Sequence, residues 1–234
     1  MLEDAPEEPH RRSMFEVSKE IRESKSSVSR LMYVGKINTE RSPKIDLADE
    51  FSRWTKETGT LVTGLLITTG NYIIHILEGE TESLLNIIKW KERLMKQDPS
   101  PFTGLTIPIF TEENPRRIFR FWSSAVTPPD STGEEEPEEI IPEEISWGLY
   151  SMLLEIGMKL GERYSGDDEN SSAISAAIKA ITSSKKLLPK QETLSLLLKK
   201  EFPSISDFCE IFVIPIDIVL DNEIIWPCPP ELTF

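Results

Sequence analysis

The chain has 234 residues and a formal net charge of −14, with 40 acidic against 26 basic side chains. That length holds one large domain or two small ones, each with its own core. The acidic balance speaks against general nucleic-acid binding and against docking on an anionic membrane, since both need a basic face.

The hydrophobic share of 38% leaves room for polar tails around a core. The two cysteines, Cys209 and Cys228, fit no zinc spacing and read as reduced thiols. The first residues, MLEDAPEEPHRR, lack the apolar stretch of a secretory signal, and no run reaches the ~20 apolar residues of a membrane span. The expectation is an intracellular, cytoplasmic protein.

Residues 1–28 form a polar arm in which Met14, Phe15 and Val17 are the apolar exceptions. Residues 30–37 read as a short apolar strand. After a turn at Ser42 and Pro43, Asp46 is a helix N-cap, and Leu47, Phe51, Trp54 and Thr58 share one helical face. Gly59 closes that helix. Residues 61–68 and 72–77 are β-branched runs around Thr69, Gly70 and Asn71, which is a hairpin signature. Thr81 opens a second helix with Leu84, Leu85, Ile87, Ile88, Leu94 and Met95 on its apolar side, and the prolines at 99 and 101 end it. Trp90 falls off that stripe and reads either as a contact residue or as packing. Residues 104–110 and 117–123 are predicted as a further strand pair, with Pro108 suited to an edge. Two amphipathic helices must bury their stripes on one sheet face, so residues 29–126 are predicted as an α+β, ferredoxin-like βαββαββ sandwich.

Residues 127–146 read as an acidic, proline-rich linker with seven glutamates between Glu134 and Glu144, kept extended by like-charge repulsion. Residues 147–234 form a C-terminal helical region, with helices predicted at 147–164, 171–188 and 190–200. The lysines there, Lys179, Lys185, Lys186, Lys190, Lys199 and Lys200, read as a solvated face or as a surface for an acidic partner. The chain is predicted to end in a β segment: 208–220 and 223–227, turned at Asp221 and Asn222. Its first run is apolar on both faces, so it should pack on the folded domain rather than stand alone.

Five linked motifs carry a resemblance. They are Leu31-Met32-Tyr33-Val34, the helix from Asp46-Leu47, the strand Val62-Thr63-Gly64-Leu65-Leu66, the ending Leu77-Glu78-Gly79, and Arg117, Phe119 and Trp122 in an Arg-x-Phe-x-x-Trp run. In this order and spacing they resemble the BLUF family, a small α+β fold that binds flavin and senses blue light. The resemblance implies a flavin ring between the two helices, contacted by a relay of Tyr and Gln. Tyr33 holds the Tyr position, but His75 stands for the Gln and Glu57 for the Asn at the ring's polar edge. Ser124 replaces the Met that ends the family's Trp-x-Met run at Trp122. Imidazole lacks the amide that tautomerises between flavin and phenol, and an ionised carboxylate offers flavin carbonyls no donor. Tyr33, Glu57, His75 and Trp122 are thus cofactor-binding residues only if flavin binds, and the expectation is no cofactor.

No other chemistry stands out. His75 has no metal-ligand pattern around it, since His10 lies in the polar arm, and a lone His on an apolar strand reads as a satisfied core residue. No nucleophile elbow is present. An acylphosphatase-like site would need a phosphate cradle after the first strand, where Lys36 and Asn38 stand without a Gly-rich loop. The expectation is a non-enzymatic structural or interaction protein. A degenerate site followed by an acidic linker and a helical region is similar to the testis-expressed BLUF-like branch of animals. That similarity implies a sperm flagellum or ciliary axoneme component, with axonemal proteins or tubulin as partners. The alternative is a flavin-binding blue-light or redox sensor using Tyr33 with His75.

Overall fold

The computed structural model describes residues 13, 28–39, 46–128, 141–164, 171–184, 189–199 and 201–214. Most of the polar arm, the body of the acidic linker and the expected turn at Asp221 and Asn222 lie outside the described residues.

Five strands form one sheet: β1 (Val28–Ile37), β2 (Thr63–Thr69), β3 (Tyr72–Gly79), β4 (Phe102–Asn114) and β5 (Trp122–Thr127), in the order β4-β1-β3-β2-β5. Helix α1 (Leu47–Thr58) follows β1, and α2 (Thr81–Met95) follows β3. The order is βαββαββ, the ferredoxin-like α+β arrangement with one added strand. Asp46 caps α1 by accepting from the Ala48 and Asp49 amides at 3.0 and 3.2 Å. Gly59 ends the helix in the left-handed region at φ 66°. Gly70 and Asn71 make the hairpin turn between β2 and β3. Gly64 lets the same two strands close up, because a Cβ there would lie 2.1 Å from the Ile76 carbonyl oxygen.

The last two strands are not a pair, contrary to the sequence expectation. β4 lies antiparallel to β1 at one edge of the sheet, while β5 lies parallel to β2 at the other. Residues 115–121 cross between the edges, and β5 begins only at Trp122. One distant side chain accounts for this: the Glu78 carboxylate accepts from the Ile118 and Phe119 amides, both at 2.8 Å at their shorter contacts, so those amides are not free for a ladder. Pro108 does lie on an edge strand, where its missing donor is tolerated.

The chain continues into α3 (Pro142–Arg163), α4 (Ser171–Ser184) and α5 (Gln191–Leu196), which cover one face of the sheet, and then α6 (Ile205–Phe208) and a π-helical turn, Cys209–Val213, which pack with α1 and α2 on the other. α3 starts inside the segment read as linker, with Pro142 at the first helical position that proline favours. Residues 208–213 are helical where a strand was predicted. Ser204 and Asp207 form a capping box that nucleates α6, and the apolar run then packs as a helix. Phe208 lies 5.4 Å from the Phe110 ring and 4.7 Å from that of Phe212. Just before it, Ile107 donates to the Pro203 carbonyl at 3.0 Å, so the chain also covers part of the β4 edge.

Alternation along the strands sorts the core into two layers. Leu31, Tyr33, Leu66, Ile73 and Leu77 face Phe51 of α1 and Leu84, Ile87 and Ile88 of α2. Met32, Val34, Leu65, Ile67, Ile74 and Ile76 face Leu153, Ile156 and Leu160 of α3 and Ile178 of α4. The sheet is therefore buried on both faces, and each of these side chains stabilises the fold by roughly 1.5–3 kcal/mol.

Candidate functional site

β1 and β3 pair so that Tyr33 stands directly opposite His75, both on the face covered by α1 and α2. The Tyr33 hydroxyl and His75 Nδ1 are 2.6 Å apart. On the other side of the ring, Trp122 Nε1–H donates to His75 Nε2 at 2.9 Å. An indole N–H can only donate, so Nε2 is the bare acceptor and Nδ1 carries the proton toward the Tyr33 oxygen. The imidazole is thus neutral, held in one tautomer and 1% exposed. Burial, and then the nearby Lys91 charge, hold its pKa well below the ordinary value. Burial, with the Glu50 carboxylate adding to it, raises the Tyr33 phenol.

Aromatic rings fill the space beside this relay. Phe51 meets His75 edge-on at 4.8 Å and stacks on Trp122 at 5.0 Å. Trp54 stacks on Trp90 at 4.7 Å, so Trp90 is a core residue rather than a surface contact.

Two ionisable residues that sequence reading missed complete the site. Lys91 is 2% exposed, and its ammonium lies 4.0 Å from the Trp90 ring centre and 5.3 Å from that of Phe102. Burial draws its pKa down to about 7 against the pull of the Glu50 carboxylate. Glu50 has one carboxylate oxygen buried without a hydrogen-bond partner among the described residues. The signal was present in the sequence: Lys91 sits on the stripe of Leu84, Ile87, Ile88 and Leu94, where a solvated charge does not belong.

Glu57, by contrast, is not brought to the relay. The last turn of α1, residues 56–58, is exposed, so its side chain faces solvent. Ser124 lines a groove of about 310 Å³ with Leu47, Leu66 and Val126 at the start of α1. The carboxylate in that groove, Asp46, is already committed to capping α1.

A flavin, the group that the BLUF fold implies, does not fit these residues. Both His75 nitrogens are spent inside the protein, Phe51 packs against the relay, and Glu57 points away. Among the described residues no cluster of His, Cys, Asp and Glu could hold a metal, and no helix is long and apolar enough to cross a membrane. Lys91 has an amine near neutrality, but burial closes it to substrates.

A second polar group sits on the opposite face. Arg30 donates to Glu78 at 2.6 Å in a buried ion pair. It also donates to Asn114 at 2.9 Å, to the Tyr150 hydroxyl of α3 at 3.4 Å and to the Arg116 carbonyl at 2.7 Å. Burial alone would lower the Arg30 pKa, but the Glu78 and Tyr150 contacts leave it raised. The motif residues Glu78 and Arg117 are therefore structural: they pin the crossing loop that delivers Trp122 to His75.

Among solved structures, Klebsiella pneumoniae BlrP1 with FMN and cyclic diGMP matches at 18% identity and a TM-score of 0.35, over 42% of this chain and 25% of that one. The BlrP1 BLUF domain matches at 18% and 0.34 over 42% of this chain and 63% of that one. BlsA in its photo-activated state matches at 16% and 0.32 over 73% of this chain and 91% of that one. The chain thus spans about a quarter of the full BlrP1 chain. The sequence profile described as testis-expressed protein 47 matches residues 27–213, most of the length. This match over most of the chain shows that the chain belongs to the testis-expressed protein 47 family.

Proposed function

We propose that the chain is a non-enzymatic interaction protein built on a BLUF-like domain without flavin, and a component of the sperm flagellum or ciliary axoneme. The observation that carries this reading is the packed relay: Phe51 lies against both His75 and Trp122, and each His75 nitrogen already has a protein partner. A sensor needs a movable hydrogen-bond network around its chromophore, and here the network is closed on itself. Membership of a testis-expressed family supports the location. The partners are other proteins, axonemal proteins or tubulin, with no role for nucleic acid or membrane in a chain of net charge −14. The purified protein is expected to be colourless and to remain with axonemes after detergent extraction. A stoichiometric flavin absorbance band defeats the first statement, and recovery only in the detergent-soluble fraction defeats the second.

One observation favours a second reading, a flavin-binding light or redox sensor: the Tyr33–His75 hydrogen bond keeps the position of the family's relay. The same absorption spectrum decides between the two readings.

A further inference from the structure

The crossing loop and α3 enclose a groove of about 240 Å³ lined by Arg116, Arg117, Ile118, Arg120, Met158, Gly161 and Glu162. Three guanidinium groups against one carboxylate leave a local surplus of two positive charges, in a chain whose net charge is −14. The wall is rigid. Arg117 is held by the Thr63 hydroxyl at 2.8 Å and the Glu78 carbonyl at 3.1 Å. The Arg116 carbonyl is held by Arg30, and the next two amides after Arg117 by Glu78. α3 is seated directly on this loop, since a Cβ at Gly157 would lie 2.6 Å from the Phe119 ring. Among the described residues the guanidinium groups of Arg116 and Arg120 make no hydrogen bond, and both side chains are exposed.

We propose that this groove docks an acidic peptide segment of a protein partner, with Arg116 and Arg120 each taking a carboxylate. Guanidinium groups bind carboxylates through two parallel charge-assisted hydrogen bonds, and a fixed backbone reduces the ordering cost of making them. Carboxylates spaced along a peptide let Arg116 and Arg120 each take a separate one, which one compact dianion does not. The proposal deepens the reading of the chain as an interaction protein and is independent of its axonemal location, which fractionation tests separately.

The test is fluorescence anisotropy of a labelled glutamate-rich peptide titrated with the full chain at low ionic strength. Binding is expected, and it should weaken as salt is added. Replacing both free arginines, R116Q with R120Q, should weaken it at least about tenfold, with the urea midpoint unchanged. Removing the opposing charge, E162Q, should tighten it. The proposal is overturned if the wild-type chain does not bind, if the double variant binds equally well, or if E162Q changes nothing. It is also overturned if a phosphoserine peptide binds more tightly than the glutamate one.

Discussion

At the scale of single residues, Lys91 gives a test with a definite sign. Its amine has an ordinary pKa of 10.5 in the unfolded chain, and burial draws it down to about 7 in the fold. Between those values the unfolded chain holds a proton that the folded chain has released. The stability contributed by this residue therefore rises as pH climbs from about 7 to 10.5, and below about 7 the slope vanishes. Lys91→Met should abolish that slope and raise stability near neutrality by about 1–3 kcal/mol, because a buried unpaired charge is replaced by an apolar side chain of similar length. Urea midpoints of both proteins across the window check this, and a variant that tracks wild type at every pH defeats it. Lys91 was legible from its place on an apolar stripe, as Tyr33 and His75 were from their motifs. Glu57 stands in the exposed last turn of α1, which a motif offset does not reveal, because it counts residues and does not say which way a helix faces.

Among the elements, the crossing from β4 to β5 depends on one carboxylate. Glu78 is fully buried and serves Arg30, Ile118 and Phe119 together. Glu78→Gln leaves the Arg30 guanidinium buried without its ion-pair partner, and the expected loss is about 3–5 kcal/mol in urea denaturation. Trp122 should loosen with the loop, so tryptophan emission should shift before global unfolding. A loss under about 1 kcal/mol would place the loop's order elsewhere. The strands and helices of the first half could be read from period and caps, which are local. The crossing could not, because its amides answer to a side chain about 40 residues away. The helical turn at 208–213 was hidden by its own apolar β-branched run, although the Ser204 and Asp207 capping pair stood in the sequence.

Taken whole, the molecule is a sheet between two helical layers. Helices α3 and α4 close one of its faces: Leu153, Ile156 and Ile178 are at zero exposure in the same layer as Met32, Val34 and Ile74. A chain cut at residue 128 should therefore aggregate or bind a hydrophobic dye, unlike the full chain. A monomeric, dye-free fragment with an unchanged urea midpoint would show that the BLUF-like half is independent. The closed relay has a consequence for the lifetime of this assembly. The proton on His75 Nδ1 points inward to Tyr33, and both rings are about 1% exposed, so solvent reaches it only when the surrounding layers part. Its deuterium exchange, followed by nitrogen NMR, becomes a clock for the opening of the native fold. The exchange rate should follow global stability as urea is added, and complete exchange on first contact with deuterated water would mean that the ring is not sealed.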